Sequence, residues 1–280
     1  ETEAGRGART NEARPEATQA ARAAEKEKKV MNDLPFRLER TVIIRASRET
    51  VFRYFTDSAR WANWWGAGST IDPRVGGAVY IRFPGAVEVR GEVVELQPPA
   101  RIVFTYGFVS GKPIPVGASR VRLELEAEGA LTRVHLTHDF ADETARNEHV
   151  QGWRYQLSVF VNVVADELYG GAADVVDGWF AAWSEADASA RHAAFARIAS
   201  PDVRFRDRFS VVDGVDDLAT HAGAAQRFTP GVTIRREGSV RQCQGSALAD
   251  WIWVKSTGEE FARGTNVFVL APDGRIESAM

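Results

Sequence analysis

The sequence predicts an α+β protein built from two successive domains, each with a curved antiparallel sheet packed against helices. Two observations lead to this prediction. Five segments between residues 77 and 140 alternate apolar and polar side chains with period 2, and the segment after them carries an apolar stripe at helical spacing. Similar segments return after residue 171 in the opposite order, with helices first and strands later.

Residues 1–33 come before the first apolar pattern, and we expect them to be disordered or to be an upstream segment. They contain no aromatic residue and carry seven acidic and seven basic side chains. Such a segment buries too little apolar surface to offset the entropy that it would lose on ordering. Because Met31 stands just before the first apolar pattern, we also expect the natural protein to start at Met31.

The first predicted domain covers residues 34–170. It opens with a strand whose apolar side chains share one face, and Ser47 then caps a short helix in "SRETVFRYFTD". Five further strands are predicted in "GAVYIRF", "VEVRGEVVELQPP", "RIVFTYGFV", "SRVRLELEAEG" and "TRVHLTHDF". In the fourth of these, apolar and charged side chains alternate, so the sheet should have one buried and one solvated face.

One long helix is predicted to close this domain, from about Thr144 to Leu168. Its apolar residues step by three or four positions and form a single stripe, which consists of Val150, Trp153, Leu157, Phe160, Val164 and Leu168. Gly170 and Gly171 then end the helix. A curved sheet wrapped around one helix commonly leaves a cavity between them, so we expect a ligand cavity here.

The second predicted domain covers residues 171–280. Its first segment, "ADVVDGWFAAWSEADASARHAAFARIA", indicates one or two helices. Strands follow in "DVRFRDRFS", "VTIRREGSVRQC", "ALADWIWVK", "EEFARGTNVFVL" and "GRIESAM", and a short helix in "GVDDLATHAGAAQRF" interrupts them. This order again predicts helices on a curved antiparallel sheet, with a second ligand cavity between them.

Composition argues against several classes of function. The net charge of −3 does not favour nucleic-acid binding, which needs a basic face. There is no run of about 18 apolar residues and no apolar signal-peptide core, so we expect a cytoplasmic protein without a membrane partner. The single cysteine, Cys243, excludes an internal disulfide. No spacing of His, Asp and Glu matches a metal site, so we expect neither a metal nor a cofactor.

Residues 36–169 resemble the Hsp90 ATPase activator homologue family, within the START-like (SRPBCC) superfamily of helix-grip domains. The resemblance is carried by "VIIRASRETVFRYFTD", "WANWWG", "GGAVYIRF", "GEVVELQPPARIVFTY", "TRVHLTHDF" and "HVQGWRYQL". It implies a cone whose interior takes a small hydrophobic ligand. It also leaves a chaperone-associated module as a weaker alternative.

Residues 172–280 resemble the SnoaL-like branch of the nuclear-transport-factor-2-like superfamily. The resemblance is carried by "GWFAAWSEADA", "PDVRFRDRFSVVDGVDDL", "ADWIWV" and "FARGTNVFVLAPDGRIES". Members of this superfamily include polyketide cyclases, ketosteroid isomerases and binding domains without known activity. The resemblance implies an α+β cone and a homodimer formed through this domain. It also implies a last strand that continues past Met280, so we expect the C-terminus to be incomplete.

Three tryptophans in "ARWANWWGAGS" leave two alternatives. Trp61, Trp64 and Trp65 pack as a lid on the first sheet, or one or two of them lie at the mouth of a cavity, where an indole offers apolar contact and a polar N–H. Gly66 and Gly68 beside them suit a bend or a mobile loop. We favour a cavity mouth that the indoles both line and stabilise.

Further aromatic side chains are candidates for lining the two cavities. The candidates are Phe104, Tyr106 and Trp153 in the first domain, and Trp179, Trp183, Phe205, Trp251 and Thr265 in the second. His135 or His138 could complete the first lining, although we expect both to project opposite Leu136 as surface or rim residues. Trp253 shares a strand face with Trp251, so it either lines the second cavity or contributes to a dimer surface.

Asp207 is the candidate catalytic residue. In "VRFRDRF", period 2 places it on the same strand face as Phe205, where an apolar side chain is expected. If Asp207 is buried there, the pKa of its carboxyl rises, which suits a general base near neutral pH. Its position resembles that of the proton-shuttling Asp of ketosteroid isomerases. The resemblance does not extend to that family's oxyanion donors, because Trp179 stands at the place of the Tyr donor and Thr265 or Asn266 stands near that of the acidic donor. The alternative is a structural Asp that is satisfied by a Trp N–H, by Arg263 or by water.

Two functions from different classes follow from these observations. The first, which we favour, is a binding protein with two cavities for small apolar or aromatic molecules. The second is a cyclase or isomerase that transfers protons on a polyketide-like or steroid-like substrate through Asp207. We favour binding because the sequence offers one candidate acid without a completed catalytic constellation.

Overall fold

The computed structural model describes residues 34–280, which form two sheets with helices packed on them. This arrangement confirms the predicted α+β class. The predictions for residues 1–33, including the start at Met31, lie outside the described residues. We call the first sheet with its helices the first unit and the second sheet with its helices the second unit.

Six helices are described. They are α1 (Arg48–Phe52), α2 (Ser58–Trp65), α3 (Glu143–Leu168), α4 (Ala172–Ser184), α5 (Ala188–Ile198) and α6 (Val215–Phe228). Within residues 34–280, none of them is both long enough and apolar enough to cross a lipid bilayer.

Thirteen strands accompany the helices in the same part of the chain. In the first unit they are β1 (Phe36–Ile44), β2 (Thr70–Ile71), β3 (Ala78–Phe83), β4 (Val87–Gln97), β5 (Arg101–Tyr106), β6 (Ser119–Glu128) and β7 (Leu131–Phe140). In the second unit they are β8 (Ala199–Arg206), β9 (Val211–Asp213), β10 (Val232–Cys243), β11 (Ser246–Lys255), β12 (Glu260–Leu270) and β13 (Ile276–Ala279).

The first sheet has the strand order β1-β7-β6-β5-β4-β3-β2, and every neighbouring pair is antiparallel. The long helix α3 lies against β1 and β7 and buries Trp153, Leu157 and Phe160 from the predicted stripe. The predicted helix is therefore confirmed. It begins at Glu143, after Asp142, whose carboxylate accepts a backbone N–H and caps the first turn.

The tryptophan segment forms the helix α2. Asp57 caps this helix through its carboxylate, and Gly66, with φ of 133°, ends it. Trp61, Trp64 and Trp65 stand at positions i, i+3 and i+4, so they share one helix face. The bend expected at Gly66 and Gly68 follows directly after the helix, where residues 67 and 68 form a turn.

The second sheet has the strand order β10-β11-β12-β13-β8-β9. Its pairs are antiparallel except for β13 and β8, which run parallel and depart from the predicted antiparallel sheet. The helix α4 lies against β10, while α5 and α6 lie against β8. These helices cover one face of the sheet.

Two hydrophobic clusters form the interior, and α3 contributes to both. The first cluster extends along the chain from Leu38 to Val164, and the second from Ala165 to Ala279. Arg45 links the two units, because its guanidinium donates to the carbonyl of Leu270 at 3.0 Å and pairs with Glu277 at 2.6 Å. Within α3, Val164 still belongs to the first cluster and Ala165 belongs to the second, so the end of this helix contributes to the core of the second unit.

Gly91 is required by a close approach between β4 and β5. A Cβ at this position would lie 1.7 Å from the carbonyl oxygen of Thr105. We expect Gly91→Ala to lower the free energy of unfolding by about 3 kcal/mol, because the two strands must separate to admit one methyl group. Urea unfolding followed by circular dichroism measures this change.

Gly152→Ala on α3 is the matched control, because a Cβ there meets no atom within 4 Å. This substitution should raise the free energy of unfolding by about 1 kcal/mol, since Ala is the better helix former. Equal effects of the two substitutions would contradict the close approach at Gly91.

Candidate ligand-binding site

The three tryptophans of α2 lie in the core of the first unit. Trp61, Trp64 and Trp65 are 0, 2 and 4% exposed. Their ring centroids are 4.2 to 5.5 Å apart, and Trp64 meets Phe160 of α3 at 4.8 Å. The expected cavity mouth is therefore a packed interior, because one helix face directs all three indoles between the sheet and α3.

The other candidates of the first unit are also core residues. Phe104, Tyr106 and Trp153 are buried, and Phe104 meets Trp61 edge to face at 5.7 Å. These side chains fill the space between sheet and helix in which the sequence analysis expected a ligand. Their contact with a ligand stays a prediction.

A hydrogen-bonded chain crosses the interior of the first unit at His138. The indole N–H of Trp153 donates to Nδ1 of His138 at 2.9 Å, and Nε2 of His138 lies 2.8 Å from the hydroxyl of Ser119. The Ser119 hydroxyl donates to the carbonyl of Tyr106 at 2.9 Å. Because an indole only donates, Nδ1 accepts and Nε2 carries the proton. Every member of this chain has a partner without a charge on the imidazole.

His138 therefore differs from the prediction that both histidines project opposite Leu136. It lies two residues after Leu136 and shares its inner face, whereas His135 lies on the outer face of β7. Burial lowers the pKa of His138 well below 6.5, and the nearby His149 lowers it further. Burial also lowers the pKa of His149.

The second unit contains a cavity of about 760 Å³. All five residues predicted for its lining border this cavity, namely Trp179, Trp183, Phe205, Trp251 and Thr265. Trp253, for which a place in the lining or in a dimer surface was left open, borders the cavity as well. The signals were a shared helix face for Trp179 and Trp183 and the period-2 strand pattern for Phe205 and Trp251, whereas Thr265 was named from the family resemblance.

Several lining residues were not predicted as site residues. The turn after β8 contributes Arg208, Phe209 and Ser210, α6 contributes His221 and Phe228, and two strands contribute Ile234 and Phe261. Phe261 stacks on Trp253 with a centroid distance of 6.0 Å and an angle of 15°. The cavity is therefore mainly aromatic, with a few polar groups in its lining.

Three indole N–H groups of this lining lack an acceptor within residues 34–280. They belong to Trp183, Trp251 and Trp253. Trp251 lies against Gly264 of the neighbouring strand, where a Cβ would stand 2.4 Å from the indole. These N–H groups are themselves buried, so the indoles provide the cavity with apolar surface.

Asp207 borders the cavity and is exposed, so the burial on which its role as a general base was conditional does not occur. The strand β8 ends at Arg206, so the alternation that would bury Asp207 stops one residue before it. Its carboxylate accepts the backbone N–H of Phe209 at 2.8 Å, and its own N–H donates to the carbonyl of Ser210 at 3.0 Å. Asp207 therefore stabilises a turn at the edge of the cavity.

Ser210 and His221 form a polar pair in the cavity wall. The Ser210 hydroxyl lies 3.2 Å from Nε2 of His221, and the imidazole packs beside Trp183 and Phe205 at 5.7 and 5.8 Å between ring centroids. Thr265, one of the positions predicted near oxyanion donors, donates its hydroxyl proton to Asp250 at 2.6 Å. This proton is therefore not available to a ligand.

No group of three or more His, Cys, Asp and Glu side chains that could hold a metal ion occurs in the described part of the chain. The groups that the cavity offers to a ligand include its aromatic rings, the Ser210–His221 pair, the carboxylate of Asp207 and the guanidinium of Arg208.

Residues 45–165 match the family described as "Activator of Hsp90 ATPase homolog 1-like protein". This match supports the resemblance predicted for residues 36–169. No curated protein matches the chain.

Several solved structures are similar to parts of the chain. A protein of the SnoaL-like family from Agrobacterium tumefaciens is 24% identical over 38% of this chain and 91% of that chain, with a TM-score of 0.37. CalU16 from Micromonospora echinospora is 26% identical over 45% of this chain and 75% of that chain, with a TM-score of 0.37. The Aha1 dimer from Colwellia psychrerythraea is 21% identical over 44% of this chain and 90% of that chain, with a TM-score of 0.39.

The buried state of His138 predicts that the fold loses stability in acid. Its folded pKa lies below the unfolded value of about 6.5, so protons bind the unfolded chain preferentially below that pH. The stability from neutral His138 is fully present above pH 6.5 and falls by up to about 1.4 kcal/mol per pH unit below it. Urea unfolding at pH 7.5, 6.5 and 5.5 measures this loss.

His138→Gln separates this contribution from that of His149. The variant should be less stable than the wild type at pH 7.5, and the gap should narrow toward pH 5.5, because only the wild type loses the contribution of His138. The control His135→Gln changes a histidine on the outer face of the same strand. A constant gap for His138→Gln across this range would exclude the proposed proton linkage.

Proposed function

We propose that this protein binds a small apolar or aromatic molecule in the cavity of its second unit. One observation carries the proposal: a cavity of about 760 Å³ walled by indole and phenyl rings. Cavities of this volume and composition suit molecules of drug-like size. The few polar groups of the lining would orient the ligand.

The proposal takes residues 34–170 as a START-like helix-grip domain and residues 171–280 as a SnoaL-like cone. The family match of residues 45–165 supports the first assignment. Two separate hydrophobic clusters, which meet at the end of α3, support the division into two domains.

The proposal assigns ligand binding to the second unit in the first instance. A receptor role for the first unit would require the indoles of α2 to move, because they occupy the space between sheet and α3. A homodimer through the second unit also stays a prediction. On the outer face of the sheet, the exposed Leu248 of β11 lies beside the ion pair of Arg241 and Asp250.

A second candidate function is proton transfer by an enzyme of the cyclase or isomerase type. The observation that favours it is the position of Asp207 beside the Ser210–His221 pair at the same cavity. A carboxylate and an imidazole are the groups that commonly move protons in catalysis.

Binding can be tested with phenylnaphthylamine, a neutral probe whose fluorescence rises in apolar surroundings. We expect Trp253→Ala to weaken its binding about tenfold, because the loss of one aromatic wall removes roughly 1.5 kcal/mol of apolar contact. Tyr155→Ala is the control, since Tyr155 is an exposed aromatic residue on α3 away from the cavity. Equal affinities of both variants and the wild type, at unchanged Tm, would exclude this cavity as the binding site.

The enzymatic alternative can be tested with the conversion of a steroid β,γ-enone to its conjugated isomer, followed by ultraviolet absorbance. If Asp207 is the base, Asp207→Asn should leave binding of phenylnaphthylamine within about twofold and abolish turnover. Unchanged turnover in this variant would remove Asp207 from the mechanism, and an inactive wild type would exclude this isomerase activity.

A further inference from the structure

We propose that the cavity of the second unit selects aromatic acids, with Arg208 as the residue that recognises the anionic group. The inference rests on the proposed binding function, because it concerns the same cavity. It adds the chemical class of the ligand: a planar ring system in the aromatic interior and a carboxylate or similar anion at the edge.

The guanidinium of Arg208 is the positive charge that borders the cavity. Residues 207–210 form the turn between β8 and β9, and all four of them border the cavity. The backbone bond from Asp207 to Ser210 closes this turn at 3.0 Å. A turn fixed in this way presents Arg208 at the cavity edge, on a short connection between two strands.

The positive charge of Arg208 is also unused. No carboxylate within residues 34–280 lies within 4.0 Å of its guanidinium. Some arginines of the second unit pair with a carboxylate, such as Arg236 with Asp177 at 2.6 Å, whereas others, such as Arg206, do not. Among the described residues Arg208 is the one arginine that borders the cavity. A planar guanidinium without a carboxylate partner is suited to a ligand carboxylate, which it can bind through two parallel hydrogen bonds.

Asp207 carries a negative charge next to Arg208, but its carboxylate does not form an ion pair with the guanidinium. Its carboxylate accepts the Phe209 N–H and is held in the turn. The guanidinium of Arg208 lies 6.0 Å from the centre of the Phe209 ring, at the end of a long side chain. The cation can therefore move toward a ligand, whereas the carboxylate is held by the backbone.

A further observation is the charge balance of the lining. Among the described residues that border the cavity, Arg208 is the one arginine or lysine and Asp207 is the one acidic side chain. The indole N–H groups of Trp183, Trp251 and Trp253 are buried, so the guanidinium is the group of this lining that can donate several hydrogen bonds to a ligand. A ligand carboxylate supplies the acceptors for these donors.

The cavity edge that carries Arg208 also has an apolar part. Phe209 and Phe228 both border the cavity and are 88 and 87% exposed. Large exposed aromatic side chains beside an apolar cavity are typical of a binding surface. They would cover the ring system of a ligand whose anionic group reaches Arg208.

The test compares two probes with the same ring skeleton. Anilinonaphthalene sulfonate carries an anion that phenylnaphthylamine lacks. We expect Arg208→Gln to weaken the binding of the sulfonate about three- to fivefold, as befits one exposed ion pair, and to leave the neutral probe unchanged. The effect on the sulfonate should shrink as salt is raised.

Arg206→Gln is the matched control, because Arg206 is exposed on β8 and does not border the cavity. It removes the same charge two residues earlier and should change neither probe. Competition against phenylnaphthylamine by naphthoate and by neutral naphthamide gives a second measurement, in which the wild type should prefer naphthoate and Arg208→Gln should not.

The outcomes distinguish the two proposals. If neither probe binds the wild type, the proposed binding function fails. If both probes bind but Arg208→Gln weakens them equally, or the wild type does not prefer naphthoate, binding stands and selection of acids by Arg208 is wrong. An equal loss of sulfonate binding in Arg206→Gln would assign the effect to the general field of the protein.

Discussion

The aromatic packing between α2 and α3 determines where this protein can accept a ligand. Trp61, Trp64 and Trp65 contact one another and Phe160, so the space between the first sheet and its helix is occupied. A ligand that entered there would have to displace at least one indole, and removing a buried aromatic side chain from the core costs about 3 kcal/mol or more. The cavity of the second unit imposes no such cost, so the binding proposal rests on that unit.

The second cavity depends on how its indoles lie against the sheet. Gly264 has no Cβ, and the indole of Trp251 occupies the place where one would be. Trp253 stacks on the ring of Phe261, so both indoles cover the strands β11 and β12. The helices of the second unit therefore need not contact these two strands along their whole length. An aromatic lining and open volume are therefore compatible in the same half of the molecule.

Strand and helix periodicity predicted the α+β class, the helix α3 and four of the five lining residues of the second unit, because each depends on a repeated local pattern. The fifth, Thr265, was named from the family resemblance. Whether Asp207 is buried depends on the residue at which β8 ends, which the pattern did not give. The pattern also left open whether Trp61, Trp64 and Trp65 pack in the interior or lie at a cavity mouth, because that depends on which elements cover their helix face. The contribution of Arg208 and Phe228 could not be predicted, because turns and helix ends meet at the cavity only through the tertiary fold.

Unpartnered donors alone do not identify a binding site, and a comparison of the two units shows why. Trp64 and Trp65 also carry indole N–H groups without an acceptor in the described residues, but they lie inside a packed core. A ligand oxygen has no room there, so these donors are a cost of close packing. In the second unit the side chains with such donors border an open volume, but their N–H atoms are buried as well. A ligand there can fill space against the indole rings, and the donor that it would meet is the exposed guanidinium of Arg208 and not an indole N–H.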